Sequence, residues 1–498
     1  MTETAESRIA GVVREMVAVE ARTDVNRVKF GELCVWPIMR RIHHFSRIAK
    51  DSKQPTKLAD IDGVGPSGLT IHAADQGPNR ADETLRQRAA LAGEGGCDAL
   101  FVSRLLDHTD QINGLSYNRL IDPYIALLRG THRHLKLEFS DEPLPVLDGR
   151  FEPTVPHQMP PWQSDEFLRS MPTEVEGFDG VEAAFAAVAA SPPTFQQLTA
   201  YLPRLWSRRN YFLGLLQRIK PRVVFVICYY SADMLALVWA CRTLGITTVD
   251  IQHGQQGPYH GMYNNWTASP PEGYAMVPDR FFCWGQPVKT YQEDRLPAHR
   301  TRPFSIVAGH PWIGLWRQAE AFSFSPALAR YCAQLDPSRT ILVGLQPTEA
   351  LMPDALPGAM RRTPDRFWLL RLHPHQRHRI AQIDSFLKAA GVTNFEVEIA
   401  TVAPLYALFR HVGHLLTQFS SVAWEAVAFD LPVTIIDPLG FDTYRSAIES
   451  GLMGYAATAD AIAAAIAAPR RAVSGAEETR FIEPSLDVTR RALAAVLG

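Results

Sequence analysis

The stretch VVFVICYYSADMLALVWACRTLGITTVDIQHG, Val223 to Gly254, limits the possible folds more than any other part of the chain. A β-branched apolar run leads into a helix-period segment, and a second β-rich run follows. Asp233 and Arg242 stand inside the apolar part, so it divides into strand and helix and does not read as one membrane span. Strand, helix and strand in succession form a βαβ unit, which demands a parallel sheet covered by helices.

The alternation recurs. ALFVSRL (Ala99–Leu105) is a strand candidate, and helices are expected over Glu182–Ala190 and Pro193–Arg218. From Arg280 onward the strand candidates are RFFCW, FSIVAG, TILVGLQ, RFWLLRLH, FEVEIA, HLLTQFS and PVTIID. PALARYCAQL, IDSFLKAAG, PLYALFR and SVAWEAVAF fall between them as helices. A chain of 498 residues exceeds one ordinary core. The expected architecture is therefore α/β, two facing Rossmann-like domains with a cleft between them. Residues 1–300 would form the first domain and 301–498 the second, with a hinge near Pro303–Pro311 and the last helix packing back on the first domain. Seven prolines between Pro143 and Pro172 mark 143–175 as an irregular insertion, because proline interrupts both helix and ladder.

Composition narrows the function classes. Hydrophobic residues make up 46% and charged residues 20%, and the net charge is −2, which gives no basic footprint for nucleic acid. Six cysteines with no C-x-x-C pair point to a reducing compartment. The charged, helix-like start MTETAESRIAGVVREMV is not a signal peptide. The expected location is the cytoplasm, with room for a peripheral contact at the inner membrane face.

In an open parallel sheet, ligands bind beyond the carboxyl ends of the strands. Polar residues follow the strand candidates with regularity: His253-Gly254 after TTVDIQ, His310-Pro311 after FSIVAG, Pro347-Thr348 after TILVGLQ, His373-Pro374-His375 after RFWLLRL, and Ser420-Ser421 after HLLTQF. In VDIQHGQQGPYHG, His253 can take a proton near neutral pH, and Asp250, Gln252 and His260 can orient or deprotonate a hydroxyl. Strand alternation puts Asp250 and Gln252 on one face and His253 on the other. Pro374 stiffens the exit of its strand, and Arg371, His375, Arg377 and His378 make that tip basic, suited to phosphate. Ser420-Ser421 stand where a serine would cap the helix VAWEAVAF and offer its N–H groups to an anion, with Glu425 one turn on for a ribose hydroxyl. Each tip, taken alone, also reads as an ordinary capped helix or polar loop.

No D-x-D of the nucleotide-sugar type stands at a strand end, and no H-E-x-x-H or spaced Cys/His set is present, so no metal and no cofactor is expected. The P-loop pattern is absent, and GVGPSG (Gly63–Gly68) follows no strand.

The ordered set VDIQHG, FFCWG, VAGHPW, LVGLQP, RLHP and TQFSSVAWEAVAFDLPV, with VWPIMR and LFVSRLLDHTDQINGLSYNRLIDP ahead of it, resembles bacterial surface-polysaccharide glycosyltransferases of GT-B type. These are the capsule and lipopolysaccharide enzymes that include Kdo and sialic acid transferases. The resemblance implies transfer of a sugar, CMP-linked in such relatives, to a glycan or lipid-linked acceptor in polysaccharide assembly. It implies a donor site at Gly309, His310, Gln346, Arg371, His373, Pro374, Gln418, Ser420, Ser421 and Glu425. Trp36, Arg40, Asn113, Tyr117, Gln252 and His260 become acceptor contacts, and Asp250 or His253 the catalytic residue. His253 would serve as base in an inverting displacement, or Asp250 as nucleophile in a retaining one. The chain departs from the family pattern in lacking its acidic D/E-D/E-G motif and in having His310 where Asn usually precedes Pro. Two rival readings use the same fold. One is a glycerophosphotransferase or nucleotide-sugar epimerase, although the former tend to follow His-Gly with Thr-Pro where Gln255-Gln256 stand here. The other is a non-catalytic assembly partner.

Overall fold

Strands that are apolar on both faces fit only inside a parallel sheet with helices on either side. Seven strands, those at its centre of this kind, form the first sheet of the computed structural model: β1 (Cys97–Ser103), β2 (His134–Ser140), β3 (Val155–Gln158), β4 (Pro221–Ile227), β5 (Thr247–Ile251), β6 (Arg280–Cys283) and β7 (Phe304–Val307). Their order is β7-β6-β5-β4-β1-β2-β3, every pair parallel. The second sheet holds β8 (Thr340–Gly344), β9 (Phe367–Arg371), β10 (Phe395–Glu396), β11 (His414–Thr417), β12 (Val433–Ile435) and β13 (Gly454–Tyr455). Its order is β10-β9-β8-β11-β12-β13, again all parallel. The expected pair of parallel-sheet α/β halves is what the chain forms. The structure describes residues 5–49, 71–74, 86–87, 89–90, 93–94, 96–104, 110–140, 149–159, 172, 174–297, 304–318, 320–469 and 480–498. Among these, no helix is long and apolar enough to cross a membrane.

Alternation sorts each strand between two cores. Val224 and Val226 of β4 enter the larger core of the first domain, while Val223, Phe225 and Ile227 face the opposite layer. In the second sheet Ile341 and Val343 point one way and Leu342 the other. Period two on a buried strand explains why these segments were readable.

Three expectations change. FSIVAG does not open the second domain: β7 pairs in parallel with β6 from Arg280↔Phe304 to Cys283↔Val307, so the boundary at 300 falls too early. The proline-rich excursion lies largely outside the described residues, but 155–158 within it is β3, the edge of the first sheet. An edge strand tolerates Pro156 because one side of its backbone has no ladder to complete. FEVEIA, expected as one strand, pairs only over Phe395–Glu396. The Glu396 carboxylate then accepts from Ile399 N–H at 2.5 Å and Ala400 N–H at 2.7 Å, starting the helix Glu398–Val402.

The two halves are welded by aromatic packing. Trp312 and Trp316, just beyond β7, are fully buried and approach Tyr406 at 6.1 and 5.9 Å between ring centres. The chain then returns: residues 480–485 cross back, and the helix Leu486–Leu497 packs Leu493 and Leu497 against the first sheet. Thr489 seals it by donating to the Ala308 carbonyl at 2.6 Å.

This crossing needs three glycines, among them Gly314, where a Cβ would stand 2.5 Å from the Pro484 carbonyl oxygen. A Cβ on Gly285 would stand 2.1 Å from the Arg480 carbonyl oxygen, and one on Gly309 2.5 Å from that of Glu483. Gly309 also has φ of +70°. His310 N–H donates to Glu483 O at 2.9 Å and Glu483 N–H to Trp284 O at 2.8 Å, so the strap is pinned as well as admitted. Gly285→Ala should cost about 3 kcal/mol, the upper end for overpacking, and should expose the last helix to proteolysis. A melting temperature and digestion pattern equal to the parent's would show that the strap is not held there.

Candidate active site

The first-domain side of the cleft starts where β4 ends. Cys228 has φ of +56°, a left-handed conformation rare outside glycine, and it turns the chain out of the sheet. Tyr229 and Tyr230 follow. The Tyr229 N–H donates to Asp250 Oδ1 at 2.9 Å, and its ring is buried. Asp250, on β5, is only 1% exposed and also accepts from the Tyr263 hydroxyl at 2.8 Å. Burial pushes its carboxyl up to about 8 against the lowering effect of those two bonds. Both oxygens are thus engaged inside the protein, and the residue braces β4, β5 and the loop carrying Tyr263.

His253 stands apart from Asp250, as alternation predicts. Its Nε2 lies 3.5 Å from the Tyr230 hydroxyl, and its Nδ1 is enclosed without a partner among the described residues. His260 packs on Tyr263 at 4.7 Å and stacks with His44 at 5.9 Å between ring centres. Burial lowers all three imidazoles: His253 to about 4, helped by Arg104 at the tip of β1, His260 to about 3 and His44 to about 4. Histidines so lowered are neutral over the whole physiological range, each with a ring nitrogen able to accept a hydrogen bond.

Several expected acceptor contacts turn out to be scaffold. Trp36 and Arg40 are completely buried. Trp36 Nε1–H and the Arg40 guanidinium both donate to Glu20 Oε1, at 2.8 and 2.5 Å. Arg40 further donates to the carbonyls of Gly261 at 2.8 Å and Asn264 at 3.1 Å, and lies 4.1 Å over the Trp266 ring. Four such partners leave it no face for a ligand; it holds the loop that carries His260. Gln252, 1% exposed, accepts from Trp284 N–H at 2.7 Å and donates to Gly254 O at 2.8 Å. Asn113, at φ +53°, turns the hairpin between Asp110–Ile112 and Leu115–Tyr117, and Tyr117 is packed 4.9 Å from Trp312.

On the second domain the carboxyl ends of β8, β9, β11 and β12 converge. Gln346 N–H donates to Gln418 Oε1 at 2.9 Å, tying the tips of β8 and β11. Half-buried His373 lies two residues past the end of β9, after buried Leu372, and Pro374–Arg379 is a 3₁₀ turn. Arg371 donates to the Ala400 carbonyl at 2.8 Å and also to that of Ala403, and burial, with the charge of Arg377, brings its guanidinium pKa down to about 10. The seven-residue helix Val422–Ala428 starts after Ser421, whose hydroxyl makes no capping bond; Ser420 Oγ instead accepts from Val422 N–H at 3.4 Å. Glu425 is buried and accepts from Tyr406 Oη–H at 2.7 Å, so it faces inward rather than toward a ribose. Gly309 and His310 lie at the tip of β7 in the first domain, against the strap. His310 sits 4.7 Å from the Trp284 ring and is held neutral, at about 3, by burial and by Arg119.

Arg119 escaped the sequence reading. It comes from the first domain, two residues beyond the short hairpin strand Leu115–Tyr117 and not at the tip of either parallel sheet, yet its field reaches Tyr406, Glu425, Asp110, His310 and Arg371. Burial opposes its charge, but Tyr406, Glu425 and Asp110 outweigh that and keep the guanidinium protonated. Arg371 therefore feels the charges of both Arg119 and exposed Arg377. Tyr444, also missed, donates to Ser420 O at 2.5 Å and lies 3.4 Å from Gln255 Oε1, joining the second domain to the His253 loop. Among the described residues, no group of three or more His, Cys, Asp or Glu is placed to hold a metal ion.

No protein-family model and no curated protein matches the chain. Among solved structures, the UDP-GlcNAc 2-epimerase from Methanocaldococcus jannaschii is similar over 80% of this chain and 100% of its own, at 12% identity and a TM-score of 0.49. That from Neisseria meningitidis, solved bound to UDP-GlcNAc, covers 80% and 99% at 14% identity and 0.47. A glycosyltransferase from Rickettsia africae covers 81% and 98% at 12% identity and 0.44.

Two outcomes test this geometry. Asp250→Asn keeps an acceptor for Tyr229 N–H and should change stability little, whereas Asp250→Ala strands two buried donors and should cost about 2–5 kcal/mol in chemical denaturation. Equal losses for both would mean that the ionised carboxylate is what matters. The histidines set an acid limit. Their folded values lie below the unfolded 6.5, so the stability they allow is complete above pH 6.5 and is lost as pH falls toward 4. Asp250 acts oppositely, with stability complete below 3.8 and lost as pH rises through 8, and offsets part of that loss. His260→Phe should flatten the decline between pH 6.5 and 4 measured by urea unfolding; an unchanged slope would refute the assignment.

Proposed function

We propose that this protein is a glycosyltransferase that moves a sugar from a nucleotide-activated donor to a glycan or lipid-linked acceptor in surface-polysaccharide synthesis. The observation that carries this reading is the mutual electrostatic reach of Arg371 with Arg119 and Arg377, with Asp110 and Glu425 as the carboxylates acting on Arg119 and Arg371 among the described residues. Like charges held together by a fold lower their mutual repulsion when an anion joins them. A diphosphate or monophosphate leaving group is such an anion, and fixed guanidinium groups can steady the charge it develops.

The donor lies on the tips of the second sheet, with its phosphate between Arg371, Arg377 and the His373 turn. The first domain presents His253 from the opposite wall. Neutral and backed by Tyr230, His253 removes the proton of the acceptor hydroxyl. Asp250 keeps the β5 loop in place from behind, which favours a single inverting displacement over a nucleophile on Asp250.

Nucleotide binding is tested by thermal shift with CMP, CDP, UDP and GDP, since a ligand that binds only the folded state raises its melting temperature. At least one should stabilise the protein. Arg377→Ala, at an exposed position, should weaken that nucleotide about tenfold, roughly 1.4 kcal/mol, without altering the unliganded melting point. His253→Ala should keep the shift and lose transfer, and the acid limb of kcat/KM should lie near pH 4 rather than 6.5. The absence of any nucleotide shift would end the proposal. Epimerisation of the donor without an acceptor would replace transfer by the epimerase reading.

A further inference from the structure

A cavity of about 1200 Å³ opens beside the site, and none of the residues expected to contact donor or acceptor lines it. Its walls come from both domains: the first helix with Arg14, the loop Gln255–Tyr259 and the helix Gln286–Glu293 on one side, and Trp424, the segment 442–452 and the strap 480–484 on the other. The volume exceeds the ~300–1,000 Å³ usual for a compact small-molecule ligand. One end abuts the chemistry. Gln255 is two residues from His253 and meets Tyr444 across the cleft at 3.4 Å.

The lining has a definite chemical character. Tyr259, 38% exposed, and half-buried Tyr291 supply aromatic surface. Arg317 pairs with Asp430 at 2.9 Å, and Arg445 pairs with Asp442, so donors and acceptors stand side by side along the wall. Thr290 and Ser446 add hydroxyls. Sugar hydroxyls donate and accept at once, and the C–H faces of a pyranose ring cover aromatic rings, so this mixture suits a carbohydrate. An acyl chain would desolvate the arginines and carboxylates without returning a hydrogen bond. A nucleic acid would bring phosphates against Asp430, Asp442 and Glu449.

We infer that this cavity is the acceptor channel and that it takes an oligosaccharide of several sugars, delivering its end to His253. The inference rests on the transferase reading above and specifies its second substrate. It moves the acceptor away from Trp36, Arg40, Asn113 and Tyr117, which the fold uses internally.

The test uses the full chain and an immobilised set of neutral and acidic oligosaccharides from two to eight sugars. The parent protein should bind at least one series with affinity rising along its length. Tyr259→Ala, which removes an exposed ring, and Thr290→Trp, which fills the cavity from an exposed helix position, should each weaken that binding tenfold or more. Both variants should keep the parent's nucleotide thermal shift. The inference is overturned if the parent retains no oligosaccharide, or if the variants bind as the parent does. Variant-sensitive oligosaccharide binding with no nucleotide shift in the parent would uphold the channel and sink the transferase reading instead.

Discussion

The close approach of one backbone to another, where residues 480–485 cross over Gly285 and Gly309, decides how the two sheets stand to each other. A single passage at 308–340 would leave two α/β layers joined like beads. The return passage closes the loop between them, and Trp312, Trp316 and Tyr406 fill the seam with rings. Once both passages are fixed, the carboxyl ends of β4, β5 and β6 have to confront those of β8, β9 and β11. The cleft follows from that confrontation.

Inside the cleft the two walls are electrically unlike. The first-domain wall is a nest of aromatic rings and imidazoles kept uncharged by burial, with Asp250 drawn toward its neutral form by the same cause. The second-domain wall, with Arg119 reaching into it, is cationic. A neutral base facing a set of cations suits a reaction in which a hydroxyl is deprotonated on one side while an anion departs on the other. Neither wall would have that property alone, because Arg119 belongs by sequence to the neutral side and by position to the charged one.

The strands were legible because buried parallel strands are written as short apolar runs, and VVFVI, TILVG and FWLLR are unambiguous. The strand-tip rule pointed to His253, His373 and Ser420, which follow β5, β9 and β11 in the structure. It failed where a side chain's partner lies far along the chain. Trp36 and Arg40, four residues apart on one helix face, look like a presented pair until Glu20 and the 261–266 loop close over them. Arg119 gives no local signal, since its meaning comes from Glu425 and Tyr406 some three hundred residues away. FEVEIA has strand composition, but a carboxylate at Glu396 satisfying two free N–H groups favours the helix start. Phe304–Val307 looks like a beginning and is an edge, because pairing order cannot be read from alternation alone.

The left-handed turn at Cys228 carries a last consequence. An L-residue held there sits roughly 1–2 kcal/mol above its relaxed conformation, and glycine would remove most of that strain. Yet the thiol acts on the Tyr230 hydroxyl and helps keep it protonated, and that hydroxyl in turn neighbours His253. A glycine would therefore relax the bend while leaving Tyr230 to swing, so the tension in the corner and the aim of the imidazole are two aspects of one local compromise.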